Sequence, residues 1–423
     1  MYKFYSLFLI LILFSCNNSK SPDNTCQSII CTKHLEHLYQ EIEIDNNTLG
    51  IIWIYCDAPD YKLVSDEDEG YTCVDDVARA LIFYCVQYKS NPLKKTLKKI
   101  KTLSEFVLYM QAPNGYYYNF LLTDNTINTK HQNSEAVPNF WSWRAFWALS
   151  ELCLIDDVEL NIIQEKAKIQ LNSLEQKIEI LFKNSYELIE IEGLEIPNWV
   201  KDYGADQISV ILLGLTNYYK IFPDSKIENM IHKLGDVLIS AQIGDGDRFP
   251  YNAFLSWRNV WHAWGNSQAY SLLKAGNELK IERFVNHGFK EIDNFYSYCS
   301  KQGFFHEFYV KMENDSIKSY NQKKFPQIAY NFSPMILASI EAYNISKSEK
   351  YAVLAGQLGS WFFGNNVANT IMYNVNSGHV FDGINSTNKV NFNSGAESTI
   401  EALLSIQAIE TSVIAVKTLK SYM

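Results

Sequence analysis

The pattern of apolar and polar positions beyond residue 70 is helical almost throughout. Apolar side chains recur at about every third or fourth position in long runs, which short polar or glycine-containing segments separate. The runs form pairs, in which a second helix follows the first after a short connection. The predicted helices are 75–89 and 93–111, 138–153 and 157–182, 203–221 and 226–242, 257–276 and 281–302, 327–343 and 347–363, and 395–411, with 29–43 as the partner of the last.

The connections repeat as well as the helices. Several second helices are followed by a glycine, then aromatic or β-branched residues, then a polar stretch that leads to the next helix. These segments lie at 114–118, 246–251, 303–308 and 378–383. Self-similarity at about 60 to 70 residues is typical of an array of helical hairpins. Six hairpins closed into a ring account for this length; an irregular helical bundle or an open solenoid is the alternative.

One motif carries a resemblance to known proteins. The run Gly70-Tyr-Thr-Cys-Val-Asp-Asp-Val-Ala-Arg-Ala-Leu resembles the first inner-helix motif of some six-hairpin glycosidases, in which adjacent acids open the helix. With the long hairpins and the many Trp and Tyr residues, it implies an all-α (α/α)6 toroid of helical hairpins with short β-turn elements between pairs. This implies a single catalytic domain over residues 29–423. Related toroids include polysaccharide lyases, sugar epimerases and cyclases, so the fold alone fixes no reaction.

Composition excludes several functions. The 423 residues are 47% hydrophobic and 20% charged, which rules out a disordered chain. The net charge is -10 and no block of Lys and Arg occurs, so we expect no nucleic-acid partner. Phosphate-binding, dinucleotide-binding and serine-nucleophile motifs are absent, and the cysteines form no C-x-x-C. We therefore expect no cofactor and no metal; the oligomeric state stays unknown.

The N-terminal segment indicates export. Residues 1–15 are largely apolar, with Lys3 as the only charge, and too short to span a membrane. The motif Leu13-Phe-Ser-Cys resembles a bacterial lipobox, which makes Cys16 the lipidated residue and 16–28 a lipidated tether. We expect a lipoprotein of the bacterial cell envelope, at the outer membrane, held there by this anchor only. The alternative is an ordinary secretory signal peptide with an incidental cysteine.

Acidic residues collect at the starts of the predicted inner helices, which meet at one end of such a ring. Helix capping explains any one of these acids better, because a carboxylate at a helix N-terminus accepts from free N–H groups. Two adjacent acids at one start, or two acids four residues apart, exceed what a cap needs. The acids are Asp75 and Asp76 in the first inner helix, Asp202 and Asp206 in the third, and Asp382 and Glu397 at the last.

Arginine is scarce in this lysine-rich chain and unevenly placed. Lys cannot mimic the planar fork of Arg, so an Arg kept in an acid-rich or aromatic-rich segment indicates bidentate hydrogen bonds. Stems packed under aromatic rings are the alternative. Four of the five Arg lie in such segments: Arg79, Arg144, Arg248 and Arg258.

Aromatic residues complete the set of substrate-binding candidates. Trp141, Trp143 and Trp199 are predicted as exposed platforms for sugar rings, whose C–H faces stack on aromatics; a buried core stripe is the alternative. The other candidates are Arg258, Trp261 and His262 in the first turns of the fourth inner helix and Tyr330 in the fifth.

These features predict a glycoside hydrolase that acts on oligosaccharides or polysaccharides. Hydrolysis needs one carboxylic acid to protonate the leaving oxygen and a second carboxylate on the other face of the bond. We expect Asp76 as the general acid and Glu397 as the general base, with inversion at the anomeric carbon. Asp75 and Asp202 are further catalytic candidates.

Two alternatives come from other classes of protein. A non-catalytic glycan-binding lipoprotein would keep the tryptophan platforms and tolerate the loss of any acid. A polysaccharide lyase on the same toroid would use a different set of side chains: Tyr251, Arg258, His262 and Asn331.

Overall fold

Alternating inner and outer helices dominate the structure, a computed structural model that describes residues 28–423. In chain order the helices are α1 (Lys33–Leu38), α2 (Val74–Ser90), α3 (Lys94–Tyr109), α4 (Phe140–Cys153), α5 (Asn161–Leu181), α6 (Asn198–Tyr203), α7 (Ala205–Ile221), α8 (Ser225–Ser240), α9 (Gln268–Leu279), α10 (Glu282–Glu291), α11 (Ser297–Gln302), α12 (Ala329–Ser346), α13 (Glu349–Gly359), α14 (Ala396–Glu410) and α15 (Val413–Lys420). A π-helical segment, Ile292–Tyr296, joins α10 to α11. The predicted signal peptide and Cys16 lie outside the described residues, so the lipid anchor stays a prediction.

Six of these helices form a closed inner ring. Helices α2, α4, α7, α9, α12 and α14 each pack against the next, and α14 closes onto α2. An outer helix follows each inner one: α3, α5, α8, α10, α13 and α15. Inner helices such as α7 are buried nearly all round, whereas outer helices such as α5 bury a single stripe, which is the amphipathic pattern of the sequence. The predicted (α/α)6 toroid is confirmed.

Strands are short and lie in the connections. They are β1 (Tyr39–Ile44), β2 (Asn47–Ile52), β3 (Tyr55–Asp57), β4 (Lys62–Val64), β5 (Thr72–Cys73), β6 (Phe120–Leu121), β7 (Leu188–Ile191), β8 (Leu194–Pro197), β9 (Gln242–Ile243), β10 (Ala253–Phe254), β11 (Val260–His262), β12 (Glu307–Glu313), β13 (Ser316–Lys323), β14 (Gly383–Ser386) and β15 (Lys389–Asn391). Consecutive strands pair in antiparallel fashion as two-stranded ribbons, except that β12 lies between β11 and β13.

The predicted helix over 29–43 is wrong outside Lys33–Leu38. Helix α1 ends at Leu38, and β1 pairs with β2 as a hairpin. Its turn residues Asp45 and Asn46 have φ values of 49° and 63°, a left-handed conformation that Asp and Asn tolerate better than most residues. The outer partner of α14 is α15 instead, whose N-cap Ser412 accepts a hydrogen bond from Ala415 N.

The fourth inner helix begins at Gln268 and not at residue 257. Strand β11 occupies Val260–His262, and Arg258 before it has a left-handed φ of 51°. Trp261 stacks on Phe308 of the neighbouring strand β12, with ring centroids 5.1 Å apart. The helical spacing of the tryptophans in this segment is therefore misleading. Arg258, Trp261 and His262 lie in the connection before α9, and their predicted place in its first turns is wrong.

A glycine separates Asp202 from Asp206. Gly204 has a φ of 70°, and a Cβ built there would lie 2.1 Å from Asp206 Oδ1, so no larger residue fits. The chain ends α6 before this glycine and begins α7 after it. The prediction of one helix over 203–221 is wrong at its start. Asp202 is exposed in α6, whereas Asp206 is buried in α7.

Within the described part of the chain, no single helix has the length and apolarity to cross a membrane. Helices α14 and α15 meet those criteria only when taken together, and they are bent by 119° relative to each other.

Candidate active site at the starts of the inner helices

Four carboxylates surround the guanidinium of Arg79, whose side chain is only 4% exposed. Arg79 Nη1 lies 2.8 Å from Asp75 Oδ2 and 2.8 Å from Asp76 Oδ1. Arg79 Nη2 donates to Glu397 Oε2 at 3.1 Å, and Nε lies 2.9 Å from Glu401 Oε1. The two Asp residues open α2, and the two Glu residues lie in the first turns of α14. Arg79 therefore joins the first inner helix to the last.

Helix geometry brings Asp75 and Asp76 to Arg79, because side chains four and three positions apart share a face. The N-cap Cys73 accepts a hydrogen bond from Asp76 N at 3.4 Å, and its thiol donates to Asp76 Oδ2 at 3.3 Å. Both carboxylate oxygens of Asp76 are thus engaged, and the residue is almost completely buried. Asp76 is closed off from a substrate.

A second buried arginine, Arg144 of α4, fixes Asp75 from the other side. Arg144 Nε lies 2.6 Å from Asp75 Oδ1, and Nη2 donates to the Tyr330 hydroxyl at 2.9 Å. Both guanidiniums also lie over the Tyr330 ring, at 4.8 Å for Arg79 and 5.4 Å for Arg144. Three inner helices, α2, α4 and α12, therefore hold Asp75 in a single orientation.

Two accessible carboxylates of this cluster have pKa values that move in opposite directions. Burial raises the pKa of Glu397 to about 7 against the pull of Arg79, and the neighbouring carboxylates add to the increase. Burial also acts to raise the pKa of Asp75, but Arg144 and Arg79 outweigh it and bring that pKa below its usual value. The Glu397 side chain is 42% exposed and that of Asp75 is 19% exposed. Glu397 can therefore hold a proton near neutral pH beside an ionised Asp75.

Two imidazoles flank a tryptophan before α9. His262 Nε2 lies 3.0 Å from Asp206 Oδ2, and the Nδ1 of the same ring lies 2.8 Å from Trp264 O. The Trp264 ring stacks on His262 at 3.9 Å and lies 4.9 Å from the ring of His306. Burial lowers the pKa of His306, which favours a neutral imidazole.

This imidazole group adjoins the arginine cluster through the backbone of Gly265. A Cβ built on Gly265 would lie 3.3 Å from the Tyr330 hydroxyl oxygen and 3.7 Å from Phe140 Cε1. The residue has a φ of 69°, a conformation that glycine adopts without strain. Trp264 and its two histidines therefore lie beside the Arg144–Tyr330 pair, and the two groups form one site.

The Asp382 carboxylate accepts hydrogen bonds from groups at the start of α14. Its Oδ1 accepts from Gly395 N at 2.8 Å and from the Ser398 hydroxyl at 2.7 Å. Burial raises the pKa of Asp382, which these hydrogen bonds oppose. It therefore holds the helix that carries Glu397 and does not join the acids around Arg79.

Two predicted residues stand apart from the acid cluster. Asp202 is exposed and forms no ion pair with any residue in 28–423. Arg258 is exposed too, and its guanidinium lies 4.2 Å from the centre of the Trp257 ring. The prediction that Asp202 lies with the acids at the ring axis is therefore wrong, because α6 ends before Gly204 redirects the chain.

The predicted tryptophan platforms are buried, and this prediction is wrong. Asn139 caps α4, so the helix starts at Phe140. Trp141 therefore lies inside the helix and not in the loop before it. The exposed fractions are 5% for Trp141, 0% for Trp143, 8% for Trp199 and 0% for Trp261. The alternative of a core stripe describes them. Trp264, half-buried against His262, is the aromatic ring that the site presents instead.

We expect Trp141→Ala to lower the free energy of unfolding by about 3–5 kcal/mol, the range for a buried Trp. The substitution empties a packed volume and leaves Tyr117 O without the indole N–H that donates to it at 2.7 Å. Chemical denaturation measures the loss. Trp257→Ala is the matched control, since Trp257 is exposed, and should cost within about 1 kcal/mol. Equal effects in both variants would contradict the burial of Trp141.

Glu401 is the member of the cluster that the sequence prediction missed. Glu397 and Glu401 are four residues apart, so they share a helix face and repel each other unless a cation intervenes. That spacing was a usable signal. The segments of Arg79 and Arg144 were correctly singled out as acid-rich or aromatic-rich.

No group of three or more His, Cys, Asp or Glu side chains in residues 28–423 is arranged to hold a metal ion.

The sequence matches no family model and no curated protein. Solved structures do resemble it. A sugar epimerase from a ruminal bacterium has a TM-score of 0.61 at 15% identity, over 92% of this chain and 97% of that one. A D-mannose isomerase has a TM-score of 0.60 at 11% identity, over 90% and 95% of the two chains. A glycosyl hydrolase of family 88 from Bacteroides vulgatus has a TM-score of 0.53 at 9% identity, over 82% and 94%. This chain has their fold. At such identities the likeness extends to the fold alone.

Proposed function

We propose that the protein is a glycoside hydrolase whose proton donor is Glu397 and whose ionised carboxylate is Asp75. The observation that carries the proposal is the opposite displacement of their pKa values on a shared guanidinium, Arg79. Two carboxyl groups whose environments separate their pKa values can serve as acid and base at the same pH. The fold, found also in a glycosyl hydrolase and in sugar-converting enzymes, supports a carbohydrate substrate.

These roles differ from those expected from the sequence. Asp76 was the expected acid, but its oxygens are occupied by Arg79 and Cys73 inside the protein. Glu397 was the expected base, but its raised pKa suits a donor. Asp75, expected from the sequence only as a further candidate, stays ionised because Arg144 and Arg79 lower its pKa, and its side chain is partly exposed.

In the proposed reaction the Glu397 carboxylic acid donates its proton to the glycosidic oxygen as the bond breaks. Arg79 Nη2, already in contact with Glu397 Oε2, stabilises the carboxylate that this step creates. Asp75 activates water or stabilises the positive charge that develops on the sugar ring. Arg144 fixes Asp75 and the Tyr330 hydroxyl together, so the base keeps its orientation while the proton moves. We retain inversion at the anomeric carbon as part of the proposal.

A sugar epimerase or isomerase is the second candidate, and a specific observation favours it. His262 and His306 flank Trp264, next to the Arg144–Tyr330 pair. Removal of a proton next to a sugar carbonyl needs a base such as a neutral imidazole, and burial lowers the pKa of His306. Such an enzyme would not need the proton of Glu397.

Product analysis separates these functions. We expect the purified protein, given a panel of plant, fungal and bacterial oligosaccharides, to release shorter sugars that carry one added water. Mass spectrometry identifies the products, and the first anomer formed reports inversion or retention. An epimerase or isomerase would leave the mass unchanged in ordinary water and incorporate deuterium from heavy water.

The control is Asp202→Asn, which changes an exposed acid outside the cluster and should keep full activity, whereas Asp75→Asn should lose it. Deuterium incorporation without bond cleavage would replace the hydrolase proposal with the epimerase. Equal activity of the two variants would remove Asp75 from the mechanism.

A further inference from the structure

A cavity of about 270 Å³ lies on the ring axis at the end opposite the acid cluster. Its walls come from five of the six inner helices: α2, α4, α9, α12 and α14. Glu341, which lines it, follows Tyr330 on α12 by about three turns, or roughly 16 Å. The cavity is therefore separate from the Arg79 cluster, and nothing in the proposed reaction uses it.

Polar side chains line this cavity without satisfying one another. Trp147 is nine-tenths buried, and its indole N–H donates to no residue of the described chain. The Tyr270 hydroxyl and the Asn344 side chain have no hydrogen-bond partner in residues 28–423 either. Lys274 and Glu341 approach only to 3.9 Å, beyond hydrogen-bond distance. Trp147 is the buried member of this set, whereas Tyr270 is half-buried and Asn344 is exposed. The Trp147 N–H lacks the partner that polar groups of buried residues normally find, and an occupant of the cavity can supply it.

The charges of the lining favour a neutral occupant. Two lysines face two glutamates, Lys89 with Glu151 at 2.9 Å and Lys274 with Glu341 at 3.9 Å, so the lining has no net charge. The Trp147 indole N–H can donate, the Asn344 amide can donate and accept, and the Tyr270 hydroxyl can do either. Burial raises the pKa of Tyr270 to about 12, so its hydroxyl keeps its proton. A ligand whose own groups both donate and accept matches such a set.

Aromatic and aliphatic surfaces supply the rest of the wall. The rings of Trp147 and Tyr270 stand among Ile82, Leu337 and Leu404. Sugar rings present C–H faces to such surfaces and hydroxyls to the polar groups between them. The volume lies just below the range of about 300–1,000 Å³ that holds drug-sized ligands, which suits a single sugar ring rather than an oligosaccharide.

We propose that this cavity, lined by Trp147, Tyr270, Lys274, Glu341 and Asn344, is a second binding site for a neutral monosaccharide. The proposal does not depend on the hydrolase function. The site lies on the same axis as the acid cluster but opens at the opposite end of the ring, so it can be occupied while the other site is empty.

The test follows the indole N–H resonances of ¹⁵N-labelled protein during titration with D-glucose, D-mannose and D-galactose. We expect the Trp147 resonance, assigned with Trp147→Phe, to shift saturably with at least one of them. Tyr270→Phe removes one hydroxyl and should weaken that binding about five- to tenfold. Tyr343→Phe removes a hydroxyl of α12 outside the cavity lining and should bind as the wild type does. The Trp143 resonance should stay fixed, because that N–H donates to Gln207 inside the protein.

The response of Trp264 reports the acid-cluster site in the same spectra, so failure at one site is distinguishable from failure at the other. If Trp147→Phe does not fold, the resonance displaced by Tyr270→Phe gives the assignment. A Trp147 resonance that no sugar moves, or that moves equally in Tyr270→Phe, overturns the proposal. Glycine, a zwitterion, is titrated separately. A shift of the Trp147 resonance with glycine and not with a sugar overturns the proposal as well.

Discussion

Glu397→Gln should reduce kcat by about 10²–10⁴-fold, the contribution of a positioned general acid, while the protein remains folded. Glutamine keeps the shape and can still accept from Arg79 Nη2, but it has no proton to give to the leaving oxygen. The KM should change far less, because the side chain still occupies its place in the site. Initial rates over a range of substrate concentrations separate the two constants, with Asp202→Asn as the exposed-carboxylate control.

The pH profile provides an independent check on the same residue. Wild-type activity should fall as the pH rises through about 7, because Glu397 then loses the proton that it must donate. The acid limb should lie below the usual carboxyl range, since the pKa of Asp75 is lowered and the residue stays ionised there. In Glu397→Gln the residual activity should lack the alkaline limb. An unchanged alkaline limb in that variant would assign the limb to another group and remove Glu397 as the acid.

Arg79→Met should lower the free energy of unfolding by about 3–5 kcal/mol, the cost of leaving a buried charge without its partner. The side chain contacts four carboxylates and is buried, whereas methionine fills a similar volume without charge. Arg283→Met is the matched control. It breaks an ion pair with Asp236 in which both side chains are about half exposed, and should cost no more than about 1 kcal/mol.

The stability lost in Arg79→Met should depend on pH. Without the cation, the pKa values of Glu397 and Asp76, already raised by burial, rise further. A carboxyl group whose folded pKa exceeds its unfolded value binds more protons in the native state, so stability falls as the pH rises. For Glu397 the window runs from about 4.5 upward through 7. The deficit should therefore be smaller at acid pH; a deficit constant across this window would show that the loss is one of packing.

The helical hairpins were predictable because each inner and outer helix repeats its apolar positions with the helical period. The errors in the predicted helices have three different causes. Trp257, Trp261 and Trp264 are spaced as on a helix face, but strand pairing with β12 decides the conformation. Residues 39–44 alternate with the period of a strand, a weaker signal over six residues. Gly204 needs a left-handed φ that only the packed structure reveals.

The acids at the site were predictable as a group but not in their roles. Asp75, Asp76 and Glu397 stand at helix starts, and closure of the ring brings them together around Arg79. Which of them can reach a substrate depends on contacts that no local pattern records. Cys73 and Arg79 enclose Asp76, whereas Arg144, from another hairpin, sets the protonation of Asp75. Exposure, and with it the pKa, is a property of the assembled ring.

The contact between α2 and α14 also determines when the site can form during synthesis of the chain. Arg79 and its partners Glu397 and Glu401 are in contact but lie far apart in the sequence, so the ribosome makes the arginine more than three hundred residues before the two glutamates. Until α14 has been translated and docked, Arg79 lacks two of its four carboxyl partners and Asp75 lacks Glu397 beside it. A chain arrested before residue 396 lacks α14, and with it the Glu397 carboxyl that the proposed reaction needs as its proton donor. On the proposed mechanism the reactive centre is therefore completed last, and we expect truncated chains to be inactive.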